Sequence, residues 1–361
     1  MLLDEMLKSV NPPSALKVGR KRIKTASDFD ANRDKIKNML QKEQYGMIPQ
    51  APSSMRVEPV ESHEKFFAGK CVYTRYTLYA ETERGETAFP FVSLIPKTEK
   101  PCPAFVFINF EDDMPCKRAP SEEIIDRGFA VFSFCYTDVA TDDNNFKAKC
   151  AKQLSCGRRR SDATGKIAMW AWAAMRVMDY VMTLTEIDRD NIAVIGHSRL
   201  GKTALLTGAF DDRFKYVISN NSGASGAALA RGKVGENITA ITNTFPFWFC
   251  PRYKKYRGHE YELPFDQNSL LALTVPRHLI VGSAKEDRWA DPKNELLSIY
   301  SVNEVYELFG MRGLVVDDGA LEAPTTYGGG DACYHVRLGK HCLSRYDWNV
   351  YMDYILKNLN K

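Results

Sequence analysis

At 361 residues, 44% of them hydrophobic, the chain is long enough for one large domain or two ordinary ones and can fill a full core. Its 49 Lys and Arg stand against 45 Asp and Glu, and the resulting net charge of +4 is too small and too evenly spread to mark a partner of nucleic acid or of an anionic membrane. No stretch approaches the length of apolar sequence that crosses a bilayer, and nine cysteines without regular spacing read as reduced thiols rather than a disulfide framework. The N-terminus, MLLDEMLKSVNPP, has early acidic residues and no apolar core of a signal peptide. The expectation is a cytoplasmic protein as the sequence stands, secreted or periplasmic if a leader was removed.

Residues 1–65 mix charged and apolar positions, with helical patterning from Ala26 to Gln41, and read as an N-terminal extension packed on a main domain of residues 66–361. From Lys70 to Pro96 the pattern alternates around an ERGE turn, which predicts an antiparallel hairpin. Ala104–Asn109, a helical stretch near Ser121 to Arg127, and Phe129–Phe134 follow in the strand, helix, strand order of a parallel sheet. Gly165 to Leu184 places Ile167, Trp170, Ala171, Ala174, Val177, Met178 and Val181 at three- and four-residue spacing, an amphipathic helix with its tryptophans in the core. Further strands are predicted at Tyr216–Asn220 and His278–Ser283, and a helix over Pro292–Gly310. Residues 230–266 fit no repeating element, and so long an irregular insertion, rich in Phe245, Phe247, Trp248, Phe249 and Tyr253, builds a site or a lid. The fold class is therefore α/β: a mostly parallel, doubly wound sheet with an antiparallel N-terminal hairpin and helices on both faces.

The centre of the chain is NIAVIGHSRLGKTALLTGAF, Asn191 to Phe210, in which an apolar strand turns into a helix through Ser198. Two chemistries claim this turn. Gly196 to Thr203 matches the phosphate-loop pattern G-x-x-x-x-G-K-[ST] at every fixed position, with the acid of Leu314-Val315-Val316-Asp317 available for magnesium. The same residues resemble a nucleophile elbow, departing from G-x-S-x-G because Leu200 stands where glycine is usual. A phosphate loop usually follows the first strand of its domain, whereas several strands precede Ser198. The order hairpin, βαβ units, nucleophile turn is that of an α/β-hydrolase.

An α/β-hydrolase needs an acid and then a histidine downstream of its serine. Asp287 lies in KEDRWADP, where the loop leaving the His278 strand should carry the acid, with Glu286 and Asp291 as rivals. His335 follows in DACYHVRLGKHCLSRYDW, read as a loop running into a terminal helix, and His341 in the same segment is either its neighbour or the base itself. Cys333, His335, His341 and Cys342 do not have the spacing of a common structural zinc site, so neither metal nor cofactor is expected.

Four segments, GHSRLGKTAL, NNSGASGAALARGKVGE, TVPRHLI with KEDRWADP, and YHVRLGKHCLSRYDW, resemble the glucuronoyl esterases, α/β-hydrolases that cleave esters joining lignin alcohols to glucuronic acid on xylan in plant cell walls. The resemblance runs from Lys166 to Tyr354 and accounts for both the Leu200 departure and the apparent phosphate loop, since the family's serine lies in G-x-S-R-x-G-K. It implies a Ser-His-Asp triad with Ser198 as nucleophile and His335 as base, Arg199 as oxyanion support and Lys202 as a contact to the sugar. Fungal members carry their catalytic glutamate where this sequence has Asn221; bacterial members often take the acid from the later loop, which points again to Asp287. Glu236 and Trp289, beside the catalytic segments, are expected to touch substrate, whereas Arg231 and Arg337 are expected to pin carboxylates. The partner is then a carbohydrate ester such as a glucuronoxylan fragment, and the protein a monomer; the alternative substrate is an acetylated xylan.

Overall fold

The computed structural model describes residues 3–19, 21–155, 160–316 and 322–359. Its main element is a ten-stranded sheet made of β1 (Ser54–Phe66), β2 (Cys71–Thr82), β3 (Gly85–Pro96), β4 (Cys102–Asn109), β5 (Ala130–Cys135), β6 (Ile187–His197), β7 (Tyr216–Asn220), β8 (His278–Ala284), β9 (Thr325–Tyr327) and β10 (Ala332–Arg337). The order across the sheet is β9-β10-β8-β7-β6-β4-β5-β3-β2-β1. Strands β10, β8, β7, β6, β4 and β5 pair in parallel, and the hairpins at both ends are antiparallel. The parallel strands are continuous apolar runs because helices cover both their faces; every residue of β5, β7, β8 and β10 is buried.

The predicted hairpin forms with Thr82 opposite Gly85, so Glu83 and Arg84 make its tight turn. The helices that matter for the site are α1 (Ser121–Asp126), α2 (Lys166–Val181), α3 (Arg199–Phe210), α4 (Ile238–Thr244), α5 (Pro292–Ser301) and α6 (Arg345–Asn358). The structure corrects three expectations. The amphipathic stripe read into α2 is too narrow, since all residues from Lys166 to Met178 are buried. Its outer face is covered by distant segments: Trp172 donates its indole N–H to Gln50 O at 2.8 Å and Trp170 to Ala140 O at 2.9 Å. The helix expected over Pro292–Gly310 is two, broken at Val302 between α5 and a short helix at Asn303–Leu308.

The third correction concerns the boundary at residue 65, which falls inside β1. SMRVEPVESHEKF hides a strand because it is an edge strand, with a proline and a run of charged residues facing solvent on both sides. Upstream of it, helix Leu3–Val10 buries Met6 and Val10 against Leu229 and Leu297. The 230–266 insertion is less irregular than its sequence: it contains α4 and two 3-10 turns, Pro251–Tyr256 and Glu260–Glu262, each too short to show a hydrophobic period. Its Phe247, Trp248, Phe249 and Tyr253 are buried. Among the described residues no helix is long and apolar enough to cross a membrane, and the described cysteines form no disulfide.

Candidate active site

Strand β6 delivers its chain to the C-terminal edge of the sheet, where Gly196 and His197 lead into Ser198. Ser198 has φ 59° and ψ −125° and caps α3, a left-handed conformation that a non-glycine residue adopts only when its surroundings impose it. Position 196 must be glycine, since a Cβ there would lie 2.1 Å from Leu200 O. The sharp turn lifts the serine off the backbone and sets the N-terminus of α3 beneath it, the geometry of a nucleophile elbow. The phosphate-loop reading fails on the same residues. Lys202 Nζ turns away to Ser222 O, and Thr203 donates its hydroxyl to Arg199 O at 3.0 Å rather than presenting it to a metal. Asp317, the acid offered for magnesium, lies outside the described residues.

Ser198 opens into a cavity of about 380 Å³. The loops leaving successive parallel strands furnish its wall: Asn221, Ser222 and Gly223 after β7, Asp287, Trp289 and Ala290 after β8, and His341 after β10. Ligand sites of open parallel sheets gather at this edge. Arg199, Lys202, Glu236, Phe245 and Trp248 complete the lining.

Within it, His341 Nδ1 meets Asp287 Oδ2 at 2.5 Å. The same carboxylate oxygen accepts from Asn221 Nδ2 at 2.9 Å, and Ala290 N donates to its other oxygen at 3.3 Å. Burial pushes the Asp287 carboxyl up, but the hydrogen bond and charge of His341, with Asn221 and Ala290, outweigh it and hold the group below the usual carboxylate range. The rivals are engaged elsewhere. Glu286 accepts from Gly339 N, and Asp291 caps α5 while accepting from Val234 N at 2.8 Å.

The expectation for His335 is overturned. Residues 332–337 are not a loop but strand β10, and His335 sits opposite Gly282 of β8 with none of its surface exposed. Its Nδ1 lies 3.2 Å from Thr326 Oγ1 and its Nε2 3.1 Å from Asp347 Oδ1, so both ring nitrogens are consumed away from the cavity. His341, beyond the end of the strand, is the histidine that shares the cavity with Ser198. ACYHVR is buried at every position and shows no alternation that would announce a strand, but once it is one, a site residue belongs past its C-terminal end.

Beside His341, at 4.6 Å between ring centroids, lies His197. Burial above all, then the proximity of His341, drives the His197 pKa down to about 3. Asn220 donates its amide N–H to Tyr351 Oη at 2.8 Å, so its oxygen accepts from His197 Nδ1 at 2.7 Å and fixes that proton on Nδ1. His197 therefore stands as a neutral wall behind the exposed imidazole. Beneath the Asn221–Gly223 turn, the buried Glu295 accepts from Gly223 N at 2.8 Å and Ser283 Oγ at 2.5 Å, and burial raises its pKa to about 7.

Lys202 is buried, its ammonium 3.9 Å from Glu236, and burial lowers its pKa to about 8 against the pull of that carboxylate. Trp289, 59% exposed, stands at the rim, and its carbonyl accepts from Glu236 N at 3.1 Å, tying the insertion to the loop of Asp287. Arg199 lines the cavity, but its guanidinium is ion-paired with Asp142. Its Cζ lies 4.8 Å from the Trp248 ring centroid and 5.2 Å from that of Phe245. Asp142 also accepts from Trp248 Nε1 at 2.7 Å and Tyr136 Oη at 3.0 Å. Asp142 was invisible to sequence reasoning, since nothing local distinguishes it from the neighbouring acids of ATDDNNF.

A left-handed serine between a parallel strand and a helix, with a carboxylate and a histidine on the loops after later strands, defines an α/β-hydrolase. A family model described as "Glucuronyl esterase, fungi" matches residues 81–310, and the chain belongs to the glucuronyl esterase family of carboxylic ester hydrolases. A carbohydrate esterase of an unknown prokaryotic organism is 45% identical over 190 residues, 53% of this chain and 44% of its own length, so the chain spans less than half of that relative. The 4-O-methyl-glucuronoyl methylesterase of Neurospora crassa is 27% identical over 311 residues, covering 80% of this chain and 70% of that protein. Among solved structures, a glucuronoyl esterase from Solibacter usitatus is 29% identical with a TM-score of 0.85, over 96% of this chain and 97% of its own. A promiscuous CE15 esterase from a marine bacterial metagenome is 28% identical with a TM-score of 0.86, over 95% and 96%.

Proposed function

We propose that the protein hydrolyses carbohydrate esters in which glucuronate supplies the acyl group, as on glucuronoxylan, with Ser198 as nucleophile, His341 as base and Asp287 as the acid that orients it. The observation that carries this reading is the 2.5 Å bond between His341 and Asp287 in the cavity that Ser198 opens into, beside a buried lysine and its carboxylate partner. Asp287 holds the proton on His341 Nδ1 and leaves Nε2 free to take the Ser198 hydroxyl proton as the oxygen attacks the ester carbonyl. The oxyanion is met by the backbone N–H of Arg199 at the start of α3, with the neighbouring guanidinium adding positive charge. Collapse expels the alcohol, which takes the proton from His341, and water enters by the same route to release the acid from the acyl-enzyme.

Lys202 and Glu236 give the cavity a buried donor and an acceptor, and Trp289 gives it an aromatic face; these match the hydroxyl groups and the apolar face of a sugar ring. An acetyl group would use none of them. Lys202→Ala is therefore expected to lower kcat/KM for a methyl or benzyl glucuronate ester by roughly 1–3 kcal/mol, the scale of a buried polar group left unpaired, with much less effect on nitrophenyl acetate. Parallel kinetics on both substrates test this. Equal losses would mean that Lys202 only supports the turn through Ser222.

A further inference from the structure

The cluster that absorbs His335 ends at the loop that carries His341. That loop, residues 338–343, leaves β10 and enters α6. His341 is itself 43% exposed in its side chain, so packing grips the imidazole on one side only and its place depends on the backbone beneath it. Arg337, 6% exposed at the end of β10, spends both terminal guanidinium nitrogens on fixing that backbone. Its Nη1 donates to Leu338 O at 2.9 Å, and its Nη2 to Lys340 O at 2.9 Å and Cys342 O at 2.6 Å, the two carbonyls flanking His341. Its Nε donates to Asp347 at 2.9 Å.

Asp347 in turn is fully buried, accepts from His335 and from the backbone and hydroxyl of Ser344, and closes the capping box of α6. One carboxylate thus anchors both ends of the His341 loop. On its other side the loop is stitched to the acid's loop: Lys285 N donates to Arg337 O at 2.8 Å and Glu286 N to Gly339 O at 3.1 Å. Gly339, at φ 98°, lets the chain pass over the guanidinium, and a Cβ there would lie 3.1 Å from Arg337 Nη1.

We propose that Arg337, held by the buried carboxylate of Asp347, is a positioning residue for His341: its planar fork fixes the carbonyls on either side of that histidine and so sets the imidazole between Asp287 and Ser198. The inference rests on His341 being the base. A lysine keeps the charge and the pairing with Asp347 but, having one nitrogen on a flexible stem, cannot span three carbonyls and a carboxylate. Displacement of a catalytic group by about an ångström costs on the order of a hundredfold in rate, so Arg337→Lys should lower kcat roughly ten- to a hundredfold, with KM changed by no more than about twofold. The loss should be the same for methyl glucuronate and nitrophenyl acetate, because the base serves every ester. Gly339→Ala, which crowds the guanidinium from the loop side and leaves Asp347 untouched, should show the same split in kcat and KM, with a lowered thermal melt from the strain of an alanine at φ 98°.

His341→Ala, assayed alongside, separates the two claims. If it is inactive while Arg337→Lys and Gly339→Ala turn over at the wild-type kcat, the positioning role is wrong and the base assignment stands. A loss that appears only in KM for the glucuronate ester would likewise overturn it. An active His341→Ala would remove the base assignment and this inference with it.

Discussion

Ser198→Ala is expected to lower kcat for ester hydrolysis by roughly 10⁴-fold or more while leaving the melting temperature near that of the wild type. The size of the loss follows from deleting the hydroxyl that the proposed mechanism acylates; the intact fold follows from what surrounds it. Position 198 holds φ 59° because Gly196, the backbone bond from Ser198 N to Asn220 O at 2.9 Å, and the start of α3 impose it. Alanine meets the same left-handed penalty as serine, so the strain is common to both proteins. Initial rates on a chromogenic acetate, paired with thermal melts, check the expectation. Near-normal turnover by the folded variant would contradict a serine mechanism.

The second large effect distinguishes two histidines in one short segment. His341→Ala is expected to cost about as much in kcat as the loss of Ser198, since members of a triad act as a unit. Its exposed side chain can be removed at little cost to the fold. His335→Gln should do the reverse. His335 is wholly buried between Thr326 and Asp347, so disturbing its bonds should cost about 1–3 kcal/mol of stability while kcat stays within roughly tenfold of wild type. Kinetics and denaturant melts on both variants decide the matter. A stable but inactive His335→Gln beside an active His341→Ala would return the role of base to His335.

The interval from His335 to His341 also marks where sequence reading stopped. Whatever depended on local pattern was legible: the strand-to-helix turn at Ser198, the apolar runs of β4 to β8, the loop after β8 that carries Asp287, and the carboxylate-pinning roles of Arg231 and Arg337, which do bind Asp266 and Asp347. What depended on a distant partner was not. ACYHVR becomes a strand by pairing with β8, and that pairing carries the site residue past the end of the run to His341. The charged edge strand β1 and the all-round burial of α2 share this cause, since each is settled by its neighbours in space. The aromatic insertion reads as a site or a lid, yet the contact of Trp248 and Arg199 through Asp142 spans more than a hundred positions of sequence and leaves no local trace.

Ester selectivity tests the central claim most directly. The purified protein should be assayed side by side on methyl and benzyl glucuronate esters and on acetylated xylo-oligosaccharides, and kcat/KM compared. With Lys202, Glu236 and Trp289 available to a glucuronoyl ring and idle before an acetyl group, binding energy realised in the transition state should favour the glucuronate esters by roughly tenfold or more. A kcat/KM higher for the acetylated oligosaccharides than for every glucuronate ester would contradict the account and assign the cavity to acetyl esters.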